Sequence, residues 1–545
     1  MRKGTTPLLL LGCVFACVQW LRWPEPPGFD QSLFGFYGHW LGRGWALYRD
    51  LWDSKPPGIF LVYAAAEPLA GAWHAARLLD GIAAAASGVL AFCLLRSMAS
   101  TPPRQQASPF APAGARVVPW TGACFAALLT AAPCFGGPRT TAQPEVLCTP
   151  LLLAAILLVQ RGRNHTAVLA GVLLGAAATM KLVGVLLLPL AWLFAPPARR
   201  RSGQHGRAVL AGFVLPILAC TALLAAQGAL GAALEAVIAY PRAYAAEIAS
   251  RIALGPALAR ASAGLVQGLP LAFALAVLGV VAAPRSPLVR SSLVWFALAG
   301  VAAVSQRQLV DYQLALCVPP LALLAACGAG ALVTWGARIT RRLRAHDVSA
   351  LRAWRPALKL AAGAAVAAVV AILGVTDLRA WGRGYASHAA LRGGRMSQEE
   401  FVLRLGRPGL AWQEALTVRE MLSKRNPVPG ETILVWGFAP AVYALVGLPP
   451  ATRYAFHQTL LVEGSSLSQR WPGAAARRAE LLQRMQTDPP RYVVVVSDDR
   501  SALEPRDSRA ELADFPALAT QLATRYTAIG STRSYELLRR IDDRD

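Results

Sequence analysis

The sequence is poor in charged residues and lacks the motifs that characterise many soluble enzymes. Only 15% of its 545 residues are charged and 55% are hydrophobic, a balance that excludes a single soluble domain. No GxGxxG or GxxxxGK[ST] motif follows a predicted strand, which argues against direct use of a nucleotide cofactor. The 54 basic residues outnumber the 30 acidic ones, but arginines interrupt apolar runs of membrane-spanning length. The basic excess therefore indicates membrane topology and not nucleic-acid binding.

Patterns typical of metal sites and disulfides are also missing. The nine cysteines lie in or at the edges of apolar segments and form no CxxC pair, so they predict neither a disulfide framework nor a zinc site. The seven histidines are scattered, with no HExxH motif. A tightly bound metal is therefore unsupported, while the sequence leaves a requirement for a divalent cation open.

Apolar runs near the length that crosses a bilayer predict a polytopic α-helical membrane protein. The short runs 166–180 and 182–195 are divided only by Lys181, which indicates broken or tilted helices beside a polar cavity. The eleven candidate spans are 7–23, 75–97, 117–135, 146–160, 166–180, 182–195, 208–227, 263–283, 290–304, 312–336 and 358–376.

The arginine clusters set the predicted orientation. With eleven spans every cluster falls on one side, which the positive-inside rule makes cytoplasmic. Counting the apolar stretch 59–73 as a further span would invert the later loops, and that stretch carries Glu67 and Pro68. We therefore place it as an interfacial or re-entrant helix in the first outer loop, 24–74. The sequence predicts a multi-pass protein of a bacterial inner membrane, with a cytoplasmic N-terminus and a periplasmic C-terminal domain.

The chain changes character after Thr376. A linker rich in glycine and arginine is predicted near 379–408, followed by a small α/β domain. The predicted division is a transmembrane domain at 1–376 and a periplasmic α/β domain at 377–545. The predicted elements of the second domain are strands at 431–437, 491–496 and 534–540 and an amphipathic helix at 513–526.

The first outer loop concentrates polar and acidic residues between membrane elements. Lys55 stands out because the chain has only five lysines and arginine fills the other basic positions, so Lys55 is a candidate anion ligand. A structural interpretation is also available, in which Asp30 caps a helix and Lys55-Pro56-Pro57 forms a rigid turn at the interface.

Three motifs of this loop resemble the first outer loop of glycosyltransferase family 39-like membrane proteins: Asp30-Gln31, Tyr48-Arg49-Asp50 and Asp53-Ser54-Lys55-Pro56-Pro57-Gly58. That family has the GT-C fold and includes protein O-mannosyltransferases and the aminoarabinose transferase of lipid A. Further segments resemble its glycine-rich helix ending in lysine, its late outer loop and its C-terminal domain, namely Gly171–Lys181, Ser305–Pro320 and 436–454.

The resemblance implies roles for four residues. It makes Asp30 the catalytic base, Lys55 a ligand of the donor phosphate and Glu145 a second catalytic acid group that organises the site. Arg242 matches, in a loose register, a phosphate-binding arginine. Asp311-Tyr312 departs from the His-Tyr of many relatives, so no histidine role is transferred. Glu145 also has a structural alternative, in which it only caps the following span.

These features together predict a membrane glycosyltransferase. It would take a sugar from a polyprenyl-phosphate donor and give it to an extracytoplasmic lipid, glycan or protein acceptor, with the bilayer itself as a partner. The alternative is a transporter or flippase of lipid-linked sugars, because Asp80 and Lys181 also suit a transport path. The clustering of charged residues in the first outer loop favours the enzyme.

Overall fold

The computed structural model describes residues 5–99, 118–135, 140–251, 253–306, 311–344, 354–406, 411–456, 474–500 and 506–541. The described chain is mostly helical up to Leu405. These helices are α1 Thr5–Arg22, α2 Phe29–Leu41, α3 Pro57–Ala99, α4 Val118–Ala131, α5 Pro144–Gln160, α6 Asn164–Met180, α7 Leu190–Leu193, α8 Pro197–Arg200, α9 Gly203–Ala226, α10 Leu230–Leu234, α11 Tyr240–Arg251, α12 Leu254–Gly268, α13 Pro270–Ala282, α14 Pro287–Val304, α15 Val318–Arg344, α16 Trp354–Arg392 and α17 Gln398–Leu405.

Four helices of the described residues are long and apolar enough to cross a membrane, or five if one bent pair counts as a span. The four lie at Pro57–Met98, Gly203–Ala226, Pro287–Val304 and Tyr312–Ala337. The predicted number of eleven spans stays a prediction. The bent pair, α12 and α13, corrects the expectation of one continuous span at 263–283, because the two helices meet at 100°. The break lies at Leu269, directly before Pro270, where a following proline disfavours helical backbone.

Helix α3 contains two helical segments. Its backbone leaves the helical region at Gly71, with φ of 71° and ψ of 161°, values that a residue without Cβ adopts readily. The segment before Gly71 therefore forms a helix separate from the predicted span at 75–97, as the sequence indicated. Its placement at the membrane interface stays a prediction.

The helix that contains the last predicted span extends further than the sequence suggested. Helix α16 continues past Thr376 to Arg392, and α17 follows at Gln398–Leu405. The expected linker near 379–408 is therefore wrong for most of its length. Polar residues after Thr376 end the apolar run, but they do not end the backbone hydrogen bonding of a helix. The division of the chain at 376 and 377 stays a prediction.

The C-terminal part is a four-stranded sheet with helices packed against it. The strand order is β1-β2-β4-β3, with β1 and β2 parallel and the other pairs antiparallel. Every residue of β1 and β2 is buried, which explains their continuous apolar runs. The elements are α18 Trp412–Ser423, β1 Ile433–Trp436, α19 Pro440–Val446, α20 Ala474–Thr487, β2 Tyr492–Val496, α21 Ser508–Leu512, α22 Pro516–Arg525, β3 Tyr526–Ser531 and β4 Tyr535–Arg540.

Candidate active site

Asp30 lies in the first turn of α2, after the N-cap residue Gly28. Both of its carboxylate oxygens have partners from other elements. Lys55 Nζ donates to Oδ1 at 3.3 Å, and Gln143 Nε2 donates to Oδ2 at 2.9 Å. The Asp30 side chain is 19% exposed, so it is enclosed but still accessible to a ligand. The structure thus joins the first outer loop to the segment that begins α5.

The turn before α3 places Lys55. The Lys55 backbone N–H donates to Asp53 Oδ1 at 2.8 Å, an Asx-type turn, and Tyr48 Oη donates to the Lys55 carbonyl at 2.8 Å. Pro57 begins the helix, at a position where the missing N–H of proline costs nothing. A Cβ on Gly58 would lie 2.7 Å from the Thr179 carbonyl carbon, so only glycine permits this approach to the end of α6. The Lys-Pro-Pro-Gly motif therefore fixes both the lysine and its distance from α6.

The charges of this loop stabilise one another. Burial raises the pKa of Asp30, but the Lys55 ammonium and the Gln143 amide lower it by more, so the pKa lies below its ordinary value. Burial lowers the pKa of Lys55, and the Asp30 and Asp53 carboxylates more than reverse this effect. Burial raises the pKa of Asp53. The Lys55 ammonium and the backbone N–H groups of Lys55 and Ser54 lower it, but they only partly offset the rise. Asp30 is consequently ionised and Lys55 charged near neutral pH.

A second acid–lysine pair completes the cluster. Glu145 lies in the first turn of α5 and is fully buried, and Lys181 Nζ is 2.9 Å from its Oε1. Lys181 directly follows α6 in extended backbone, with φ of −147° and ψ of 119°. Its ammonium also lies 5.7 Å from the ring centroid of Tyr312, within range of a cation–π interaction. Lys181 therefore lies at the break between the apolar runs 166–180 and 182–195, and the break allows its side chain to reach Glu145.

Sequence reasoning missed Lys181 and Gln143 as site residues. Lys181 had a usable signal, since it is a lone charge between two apolar runs and one of only five lysines. Gln143 had none, because its role depends on the folded contact between two loops. Among the described residues, no group of three or more His, Cys, Asp or Glu side chains could hold a metal ion.

The structure does not bring Arg242 into this cluster. Its side chain is exposed on α11, and it makes no ion pair within the described part of the chain. Its neighbour Tyr240 does approach the site, with its ring edge-to-face against Trp52 at 5.0 Å between centroids. A phosphate-binding role for Arg242 stays a prediction.

The C-terminal domain packs directly on the first outer loop. Phe438 stacks on Phe29 with ring centroids 5.0 Å apart, and Tyr443 stacks on Phe36 at 4.9 Å. The Trp52 backbone N–H donates to the Arg453 carbonyl at 2.8 Å. All three contacts come from the segment 436–454, so the two regions that carried the family resemblance meet in the fold.

Two solved structures are similar to this chain over nearly its whole length. One is ArnT from Cupriavidus metallidurans bound to undecaprenyl phosphate, with a TM-score of 0.55, 14% identity and 99% of each chain covered. The other is the same protein in the apo state, with a TM-score of 0.51, 14% identity and 98% of each chain covered. ArnT is a lipid A aminoarabinose transferase with the GT-C fold. This chain has a GT-C-like membrane fold.

The comparison thus confirms the fold expected from the first-loop motifs. No family model and no curated protein matches the sequence. At 14% identity the likeness concerns the fold, and the chemistry depends on the side chains described above.

Proposed function

We propose that this protein transfers a sugar from a polyprenyl-phosphate carrier to an extracytoplasmic acceptor. The observation that carries the proposal is the convergence of two carboxylates and two lysines: Asp30 with Lys55 at 3.3 Å and Glu145 with Lys181 at 2.9 Å. A transferase of this kind needs a base for the acceptor and cations for the phosphate leaving group. The cluster supplies both.

In the proposed reaction, Asp30 accepts the proton of the acceptor hydroxyl or amine as that group attacks the anomeric carbon. The bond between the anomeric carbon and the phosphate oxygen breaks, and its electron pair stays on the phosphate. Lys55 and Lys181 stabilise the charge that develops there. Glu145 holds Lys181 in place while the site is empty of donor.

The membrane topology supports the same site. The eleven-span arrangement puts the first loop, the loop ending at Glu145 and the junction at Lys181 on the outer side of the membrane. That arrangement rests on the apolar runs and on the positions of the arginine clusters. The proposed protein therefore lies in an inner membrane, with its N-terminus cytoplasmic and its C-terminal domain periplasmic.

The known structures support the donor class. One ArnT structure has undecaprenyl phosphate bound, and its fold covers 99% of this chain. We propose a polyprenyl-phosphate sugar as the donor here as well. The proposed acceptor is a lipid, a glycan or a protein at the outer face of the membrane.

The gathering of the charges favours an enzyme over a transporter. Asp80 is fully buried against Arg77 at 3.0 Å, and this pairing by itself is common to both classes, because buried charges on transport paths also pair with one another. The other charges gather in one site: Lys55 is paired with Asp30, and Lys181 with Glu145. A site of two carboxylates and two lysines is what glycosyl transfer needs.

Lipid analysis tests the proposal. A strain that lacks the gene should accumulate a polyprenyl-phosphate sugar, and the natural protein should remove it. Asp30→Asn should fail to remove it, while Asp498→Asn, which changes a half-exposed carboxylate paired with Arg533, should succeed. A strain with no accumulated lipid of this class would contradict the proposed function.

A further inference from the structure

The segment that carries Gln143 has an unusual backbone. Ala142, directly before it, has φ of 47°, in the left-handed region that non-glycine residues rarely adopt. Thr141, Ala142 and Gln143 are all essentially buried. Surrounding groups must therefore hold this conformation against its intrinsic cost.

Two side chains of α3 hold Ala142 itself. The Ala142 backbone N–H donates to Asp80 Oδ1, and Tyr63 Oη donates to the Ala142 carbonyl at 3.1 Å. Both side chains are fully buried. The N–H and the carbonyl of Ala142 both have hydrogen-bond partners in this conformation. Rotation of Ala142 to a negative φ would break these bonds, so the two side chains stabilise the positive φ.

Two further side chains hold the preceding residue. Arg77 Nη1 donates to Thr141 Oγ1 at 3.2 Å, and Gln31 Nε2 donates to the Thr141 carbonyl. Arg77 is in turn paired with Asp80 at 3.0 Å and with Glu25 at 3.5 Å. A connected set of buried side chains therefore stabilises the conformation of segment 141–143.

We propose that Asp80 is a positioning residue that acts on Asp30 through the backbone of Ala142 and the side chain of Gln143. The inference rests on the proposed function, because it concerns the base of that reaction. Asp80 fixes the turn at Ala142, the turn directs the Gln143 amide to Asp30 Oδ2, and this hydrogen bond favours the ionised carboxylate. Asp80 touches neither donor nor acceptor in this scheme.

The pH dependence of transfer distinguishes positioning from simple structural support. Loss of the Gln143 hydrogen bond should move the acid limb of the pH profile upward by about 1 to 2 pH units, the equivalent of one hydrogen bond to a charged group. Charged and titratable groups around Asp30 are Lys55, Asp53, Lys181, Tyr63 and Tyr312. Those around Asp80 are Arg77, Arg22, Glu25, Tyr63 and Tyr385.

The experiment uses the full-length protein, with envelopes of a strain lacking the gene as the source of donor and acceptor. Consumption of the accumulated polyprenyl-phosphate sugar is followed against pH at limiting donor. Gln143→Leu, Asp80→Asn and Tyr63→Phe should all shift the acid limb upward. Asp80→Asn combined with Gln143→Leu should shift it no further than Gln143→Leu alone. Ser87→Ala, a buried change on the same helix, should leave the profile in place.

Tyr63→Phe keeps the ring and the Arg77–Asp80 pair, so it tests the turn even if Asp80→Asn fails to fold. The inference is overturned if Gln143→Leu shifts the acid limb while the foldable Asp80 and Tyr63 variants only lower the rate. Additive shifts in the double variant would also overturn it. Failure of the proposed function would give a different result. Asp30→Asn would then retain transfer, independently of the pH profiles of the other variants.

Discussion

Phe29 and Phe438 stack with ring centroids 5.0 Å apart, so the residue beside Asp30 lies against the C-terminal domain. The first outer loop is therefore packed between the helices of the membrane domain on one side and this domain on the other. The loop contains α2 and the first segment of α3, and the turn between them at Tyr48–Lys55 contacts the C-terminal domain through Trp52. This arrangement explains why motifs far apart in the sequence contribute to one site.

Asp30→Asn should lower transfer by about two to four orders of magnitude, because the amide keeps the size of the side chain but cannot accept the acceptor proton. The amount of inserted protein should not change. Turnover of the purified variant, compared with Asp498→Asn, checks this. Near-normal turnover would reject Asp30 as the base.

Lys55→Ala should weaken donor binding by about 10- to 150-fold, the equivalent of roughly 1.5–3 kcal/mol for a charged hydrogen bond. Binding of undecaprenyl phosphate to the purified protein is the measurement. Lys424→Ala is the matched control, because Lys424 is exposed and pairs only with Glu420 among its described neighbours. Equal affinities for the two variants would remove Lys55 from the phosphate site.

Transfer should persist as pH falls through the range in which an ordinary aspartate is protonated. Asp30 must be ionised to act as a base, and Lys55 and Gln143 hold its pKa below the ordinary value. In Lys55→Met the pKa of Asp30 should rise, and the acid limb of the rate at limiting donor should move to higher pH. The natural protein and Lys424→Met should share one profile. An unchanged acid limb in Lys55→Met would show that Asp30 does not limit the reaction.

Phe438→Ala should lower transfer by roughly 2- to 13-fold, since an aromatic stack contributes about 0.5–1.5 kcal/mol to the position of the loop. Binding of undecaprenyl phosphate should remain, because Lys55 and Lys181 are untouched. Phe438→Leu keeps much of the apolar contact and should lose less. Full transfer by the alanine variant would mean that the domain contact is dispensable for the site.

Much of the helical framework could be predicted from apolar runs, including the break at Lys181. Pro270 could have indicated the break at Leu269, because proline disfavours helical backbone in the residue before it. The apolar run continues across this position, however, and suggested one span. The length of α16 was underestimated because the apolar run ends at Thr376, whereas the helical backbone hydrogen bonds continue to Arg392. Strand β3 was missed because most of its residues are exposed or half-buried, so it lacks the apolar pattern of β1 and β2.

The site was predictable only in part. The scarcity of lysine made Lys55 a candidate anion ligand, the resemblance of the first loop added Asp30, and the structure joins the two at 3.3 Å. Glu145 came from the same resemblance and pairs with Lys181. The catalytic and binding roles of all three residues stay predictions. The hold on Ala142 by Asp80 and Tyr63 was invisible in the sequence, because residues 62 and 79 positions away meet it only after folding.

The leaflet in which the donor accumulates distinguishes transfer of the sugar from movement of the lipid. In spheroplasts of a strain lacking the gene, complemented with Asp30→Asn, we expect a polyprenyl-phosphate sugar that is accessible to a membrane-impermeant reagent at the outer face. The natural protein should clear that pool. Accumulation confined to the inner leaflet would contradict the proposed function, because it would show that the missing step is movement of the lipid across the membrane and not transfer of its sugar.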